Sequence, residues 1–143
     1  MLQITKIMPP STMLVTTGEK FAEDMYDEHG LIESKKGDLK PYQKVVAIGP
    51  MVRNIKVGDM VMINVMHFAV FQYDSKSLQS DAREVNKIKE FRFNWIDLYD
   101  EDGGVQECLY MDQQDIMFAF EGKEVQGKKN SIILPKSNPI ITN

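Results

Sequence analysis

Two histidines, His29 and His67, a single cysteine, Cys108, and the acid-rich stretch "DLYDED", Asp97 to Asp102, hold most of the reactive chemistry in this sequence. The histidines lie far apart and no cysteine joins them at ligand spacing, which argues against a zinc site. A catalytic thiol needs a positioned base; Cys108 falls within an apolar alternating run and reads as a small buried hydrophobe. "DLYDED" lacks the ligand spacing of an EF-hand loop and reads as a solvated turn. Trp95, with Phe91, Phe93 and Tyr99, offers ring faces on which bases can stack. No basic groove accompanies them, so they read as the apolar face of an inserted hairpin or as a subunit contact. Neither a Ser-His-Asp order, a phosphate-binding loop nor a dinucleotide fingerprint is present. The expectation is a protein that is not an enzyme and uses no metal or cofactor.

Composition bounds the remaining classes. The chain has 143 residues and a formal net charge of −4, with lysines interleaved among acids, so a nucleic-acid footprint is not expected. Apolar residues make up 43% and charged residues 27%, which suits one globular domain with an embellishment. A single cysteine excludes an internal disulfide. "MLQITKIMPP" lacks the apolar centre of a signal peptide, and no run approaches the roughly 18 apolar residues of a membrane helix. The expectation is a soluble, cytoplasmic protein. The ten methionines are expected to fill an adaptable core or to line a promiscuous binding face.

The elements that would position these residues are strands. "VVAIGPMVRNIKVGDMVMINV", residues 45–65, places apolar runs on either side of Gly49-Pro50 and Gly58-Asp59. It predicts strands over 44–48 and 60–65. Met13 to Thr17 predicts a strand after the break at Pro9-Pro10. "WIDLY", "VQECLYM" and "IMFAF" predict three more, with Asp102-Gly103-Gly104 as a hairpin turn. Residues 66–91 read as a hairpin arm with a helical tip. Residues 19–41 are charged, and the weak Phe21/Met25 spacing predicts a loop with one helical turn. After Gly122 the tail holds two apolar clusters punctuated by prolines. Short strands at regular spacing imply an all-β barrel or sandwich.

With those blocks in place the sequence resembles the GroES-type, or chaperonin-10, co-chaperonins. "PYQKVVAIGP" followed by "NIKVGDMVMINV" is similar to the centre of that family, "ECLYMDQQDIMFAFEG" to its closing stretch, and "ITKIMPPSTMLVTTG" to its opening strand. The blocks cover about two thirds of the chain, in the family's order. The resemblance implies a small irregular Greek-key barrel over 1–122 and assembly into a homo-oligomeric ring. "HGLIES", residues 29–34, stands where the family carries the mobile loop that docks on a chaperonin, so Gly30, Leu31 and Ile32 are the implied partner-binding residues. A charged loop with apolar residues at its tip binds weakly in one copy, and a ring multiplies the effect.

The chain also departs from the family pattern. "MVRNIK" is too short for the family's roof hairpin, a feature shared with roofless phage-encoded co-chaperonins. Residues 66–91 look inserted, and 123–143 run past the usual end. Glu33 occupies a position where an apolar docking residue is expected, and His29 one where glycine is common. These departures carry the alternative reading, a phage capsid auxiliary or cement protein that reuses the barrel and contacts capsid subunits in the virion.

Overall fold

The computed structural model describes residues 1–72 and 87–125. These residues form ten strands: β1 (Met13–Thr17), β2 (Met25–Tyr26), β3 (Ile32–Ser34), β4 (Tyr42–Ile48), β5 (Met60–Ile63), β6 (Ala69–Gln72), β7 (Lys87–Phe91), β8 (Trp95–Tyr99), β9 (Val105–Asp112) and β10 (Ile116–Phe120). Single 3-10 turns lie at Val65–Phe68 and Gln113–Asp115. The protein is all-β. The chain divides into two compact units, one of Met1–Gly18 with Pro41–Glu121 and one built on Glu19–Lys40.

The first unit carries a six-stranded antiparallel sheet in the order β10-β5-β4-β1-β9-β8. β4 pairs with β5 along Tyr42–Lys44 and with β1 along Val45, Ala47 and Ile48, with Val46 as the extra residue of a bulge. Three consecutive residues of β1, Leu14, Val15 and Thr16, are fully buried. Successive side chains of a strand point to opposite faces, so β1 is covered on both. Val45, Val61, Ile63, Cys108, Leu109 and Met111 join it in the core. In β5 the residues alternate between a buried pair, Val61 and Ile63, and a half-buried pair, Met60 and Met62. Buried Gln43 is satisfied through its Oε1, which accepts from Thr17 Oγ1 at 2.8 Å.

Gly49 and Gly58 serve this unit in different ways. A side chain at Gly49 would run into the carbonyl oxygens of Ser11, Pro10 and Met13. Gly49 N–H instead donates to Met13 O at 2.8 Å, and Met51 N–H to Ser11 O at 3.0 Å. Gly49 is therefore a close approach of two backbones. Gly58 has open space around it but a φ of +98°. It is the third residue of a turn closed by Asp59 N–H to Lys56 O at 3.1 Å, the place where a type II turn requires positive φ.

The described part of the arm is a two-stranded ribbon, β6 on β7, with Phe71 opposite Ile88 and Ala69 opposite Phe91. Its expected helical tip, within 73–86, lies outside the described residues, as does the tail from 126. β5 stops at Ile63, short of the expected Val65. Asn64 N–H donates to Asp115 O at 2.8 Å, and Asn64 O accepts from His67 N–H at 3.1 Å, which turns the chain into the first 3-10 turn. The opening segment forms one parallel bridge, Ile4 to Leu98, with Tyr99 N–H donating to Ile4 O at 2.8 Å. Among the described residues no helix is long and apolar enough to cross a membrane.

Candidate functional site

Residues 19–40 form a β-hairpin, in place of the expected loop with a helical turn. The spacing of Phe21 and Met25 suits a helix, but the backbone bonds run across the segment. Phe21 N–H donates to Asp38 O at 2.9 Å, Gly37 N–H to Phe21 O at 2.8 Å, and Lys40 N–H to Glu19 O at 3.0 Å. Gly37, at φ +92°, allows the reversal that brings 35–38 back onto Phe21. Phe21 is buried, and Lys40 Nζ lies 5.8 Å from its ring centroid, a cation–π contact. Lys40 also pairs with Glu124 at 3.3 Å. Asp24 Oδ1 accepts from Lys36 N–H at 2.9 Å and Asp38 Oδ2 from Lys35 N–H at 3.3 Å.

The tip is built by Asp27 and Gly30. Gly30 N–H donates to Asp27 O at 3.0 Å, and Asp27 N–H donates to Leu31 O at 2.9 Å. Gly30 has a φ of +84°, so the tip follows the three-residue hairpin loop that ends in a left-handed residue. The Asp27 carboxylate closes the loop from inside: Oδ1 accepts from His29 N–H and from Leu31 N–H, both at 2.9 Å. The bond from Leu31, joined by that from His29, holds the Asp27 carboxyl below its ordinary value of 3.8.

Of the implied partner-binding residues, Gly30 makes the turn while Leu31 and Ile32 are presented to solvent, 66% and 51% exposed. Their side chains do not form one patch. Ile32 sits opposite Tyr26 across the ribbon, while Leu31, one residue earlier, falls on the alternate face. Glu33 is the extra residue of a bulge between Tyr26–Ile32 and Met25–Ser34. Tyr26, half-buried beside Ile32, is the apolar neighbour that sequence reasoning missed. Only a register signal could have found it, because nothing in "DMYDEHG" marks which residue faces Ile32.

The remaining residues with chemistry are used structurally. Cys108 is fully buried, its Sγ donating to Gln106 O at 3.6 Å. Burial pushes its thiol above the ordinary 9.0, and the nearby Asp97 adds to this. Asp100 Oδ1 accepts from Asp102 N–H at 2.9 Å and Gly104 N–H at 2.6 Å, so this acid closes the β8–β9 turn. His67 Nδ1 is 2.9 Å from Asp115 Oδ1, and its Nε2 is 3.1 Å from Asn64 Nδ2. One neutral tautomer, with the proton on Nδ1, satisfies both bonds. The chain around Asp115 is further fixed by a capping box. Gln114 N–H donates to Asp112 Oδ2 at 2.8 Å and Asp112 N–H to Asp115 Oδ2 at 3.1 Å. Trp95 packs over Gly18, where an added methyl would meet its ring at 2.5 Å. Phe91, Phe93 and Phe68 cluster at the base of the arm, with ring centroids 6.3 Å and 4.9 Å apart along the row. Among the described residues no three His, Cys, Asp or Glu side chains gather as a metal site would require.

Neither a family model nor a curated protein matches this chain.

Proposed function

We propose that this chain is a non-catalytic, ring-forming co-chaperonin-like protein that caps a chaperonin through the hairpin carrying residues 29–33. The observation that carries the reading is the exposure of Leu31 and Ile32 at the end of a hairpin that lies outside the sheet unit. Leu31 and Ile32 stand at the tip with one branched aliphatic side chain on each face of the ribbon, where both are available to a partner. Burying each contributes on the order of 1.5–3 kcal/mol. Because they occupy opposite faces, the receiving groove must take the ribbon edge-on. This reading takes the six-stranded sheet as part of a small irregular Greek-key barrel of the GroES type. The two glycine-marked turns lie between β4 and β5, and the capped turn around Asp115 leads into β10.

Self-assembly is supported by β10. It is an edge strand with no proline and no charged residue between Ile116 and Phe120, and Met117 and Phe118 are 57% and 48% exposed. An edge of this kind is a template for pairing with another chain. A ring would bind cooperatively, since linked copies raise one another's effective concentration.

One observation favours the alternative, a phage capsid auxiliary or cement protein. The β6–β7 ribbon exposes Phe71, Ile88 and Phe91, and a two-stranded ribbon alone is marginally stable. An arm of this kind fits a neighbouring capsid subunit.

The test is a pull-down with a chaperonin ring, with and without nucleotide. The wild type is expected to associate only with nucleotide. The double variant Leu31→Ser, Ile32→Ser is expected to lose association by at least tenfold while its unfolding midpoint stays unchanged. A wild type that fails to associate under either condition removes the co-chaperonin reading.

A further inference from the structure

We propose that Asp27 is the positioning residue of the docking hairpin: its carboxylate clamps the tip, so that Leu31 and Ile32 are presented in a preformed ribbon before any partner arrives. The inference rests on the docking reading for its purpose, though not for its geometry. The segment has little else to order its tip. From Glu23 to Lys36 no side chain is buried, and Met25 and Tyr26 are only half-covered. Apolar burial therefore cannot hold residues 27–32. Beyond the short β2–β3 pairing, the bonds at the tip converge on one residue. Asp27 N–H donates to Leu31 O and Asp27 O accepts from Gly30 N–H, while its Oδ1 accepts from both His29 and Leu31. Leu31 is thus gripped at both its N–H and its carbonyl by the same residue. An aspartate side chain bonding to amides two and four residues ahead offers the chain a local fold that requires no core.

The consequence for docking is entropic. A tip that is already ordered gives up less conformational freedom on binding than a loop that must fold onto its partner. Removing the carboxylate leaves Gly30, Leu31 and Ile32 in place and removes only their preorganisation. Asn at position 27 keeps an oxygen acceptor and loses only the charge.

The experiment compares wild type, Asp27→Ala and Asp27→Asn in the full chain. Backbone 15N order parameters of His29 to Ile32 are measured without any partner. The wild type and Asp27→Asn are expected near 0.85, and Asp27→Ala is expected to fall below about 0.6 at these residues while the sheet is unchanged. Chaperonin affinity, measured separately, is expected to weaken about tenfold in Asp27→Ala and to recover in Asp27→Asn. Order parameters at the tip that are the same in all three proteins overturn the clamp, as does Asp27→Asn behaving like Asp27→Ala. Order that follows Asp27 in a protein whose wild type binds no chaperonin sustains the clamp and overturns the docking reading alone.

Discussion

In the six-stranded sheet Leu14, Val15 and Thr16 are all out of solvent, whereas from 19 to 40 Phe21 is the one buried residue. The sheet is held by side-chain burial on both faces of its central strand. The hairpin is held by cross-strand backbone bonds and by carboxylates that accept from backbone amides: Asp24 from Lys36, Asp38 from Lys35, and Asp27 from His29 and Leu31. The contrast teaches where each kind of change will be felt. A packing change in the sheet alters global stability. A change at a hairpin carboxylate is expected to alter local order and leave the sheet intact.

The largest effect that would test this contrast comes from Gly49→Ala. The added methyl must displace the backbone of Pro10–Ser11 rather than a flexible side chain. The expected loss is about 3 kcal/mol, read as a lower denaturant midpoint with the slope retained. Gly58→Ala meets no neighbour and strains only a φ of +98°; its expected loss is about 1–2 kcal/mol. Equal losses at the two glycines would mean that the approach of β1's leading segment to Gly49 is not what holds the loop.

A smaller and more local effect is expected from acid. Asp27 and Asp112 have carboxyls held below 3.8, Asp27 chiefly by the amide of Leu31 and Asp112 chiefly by the hydroxyl of Thr12. A carboxyl lowered by folding stabilises the folded form above its unfolded value, and that contribution fades as pH falls through the folded value. At neutral pH both sets of bonds are in place. As pH falls below 3.8 the bonds onto Asp27 and Asp112 are expected to weaken without being lost, because a protonated carboxyl keeps an acceptor oxygen, while Leu14, Val15, Val61 and Leu109, which carry no charge, stay packed. NMR shifts followed from pH 7 downward check this. Amide shifts of His29 and Leu31 that stay fixed while Asp27 protonates would place the order of the tip elsewhere than in its carboxylate.

The same contrast explains what could be read from the sequence. Met13 to Thr17, "WIDLY" and "IMFAF" coincide with β1, β8 and β10, because β-branched and aromatic runs bounded by turn residues carry their own signal. The hairpin was illegible for the reason that makes it distinctive. It has too few apolar residues to show a period, and its aspartates accept from amides two, four or twelve residues ahead or three residues behind. Gly30, Leu31 and Ile32 could be singled out by type and position, but not their separation onto two faces, nor the pairing of Ile32 with Tyr26. The reason for Gly49 was likewise hidden, since its constraint is the backbone of residues 10–13, distant in sequence.

The proposed docking places the hairpin, not the sheet, against the partner. Site-specific photo-crosslinking tests it most directly. A photoreactive residue is placed at position 31 in one protein and at position 57, an exposed valine of the sheet unit, in another. Each is then irradiated with a chaperonin ring and nucleotide. The account predicts a crosslinked band from position 31 alone. A band from position 57 with none from position 31 would contradict it.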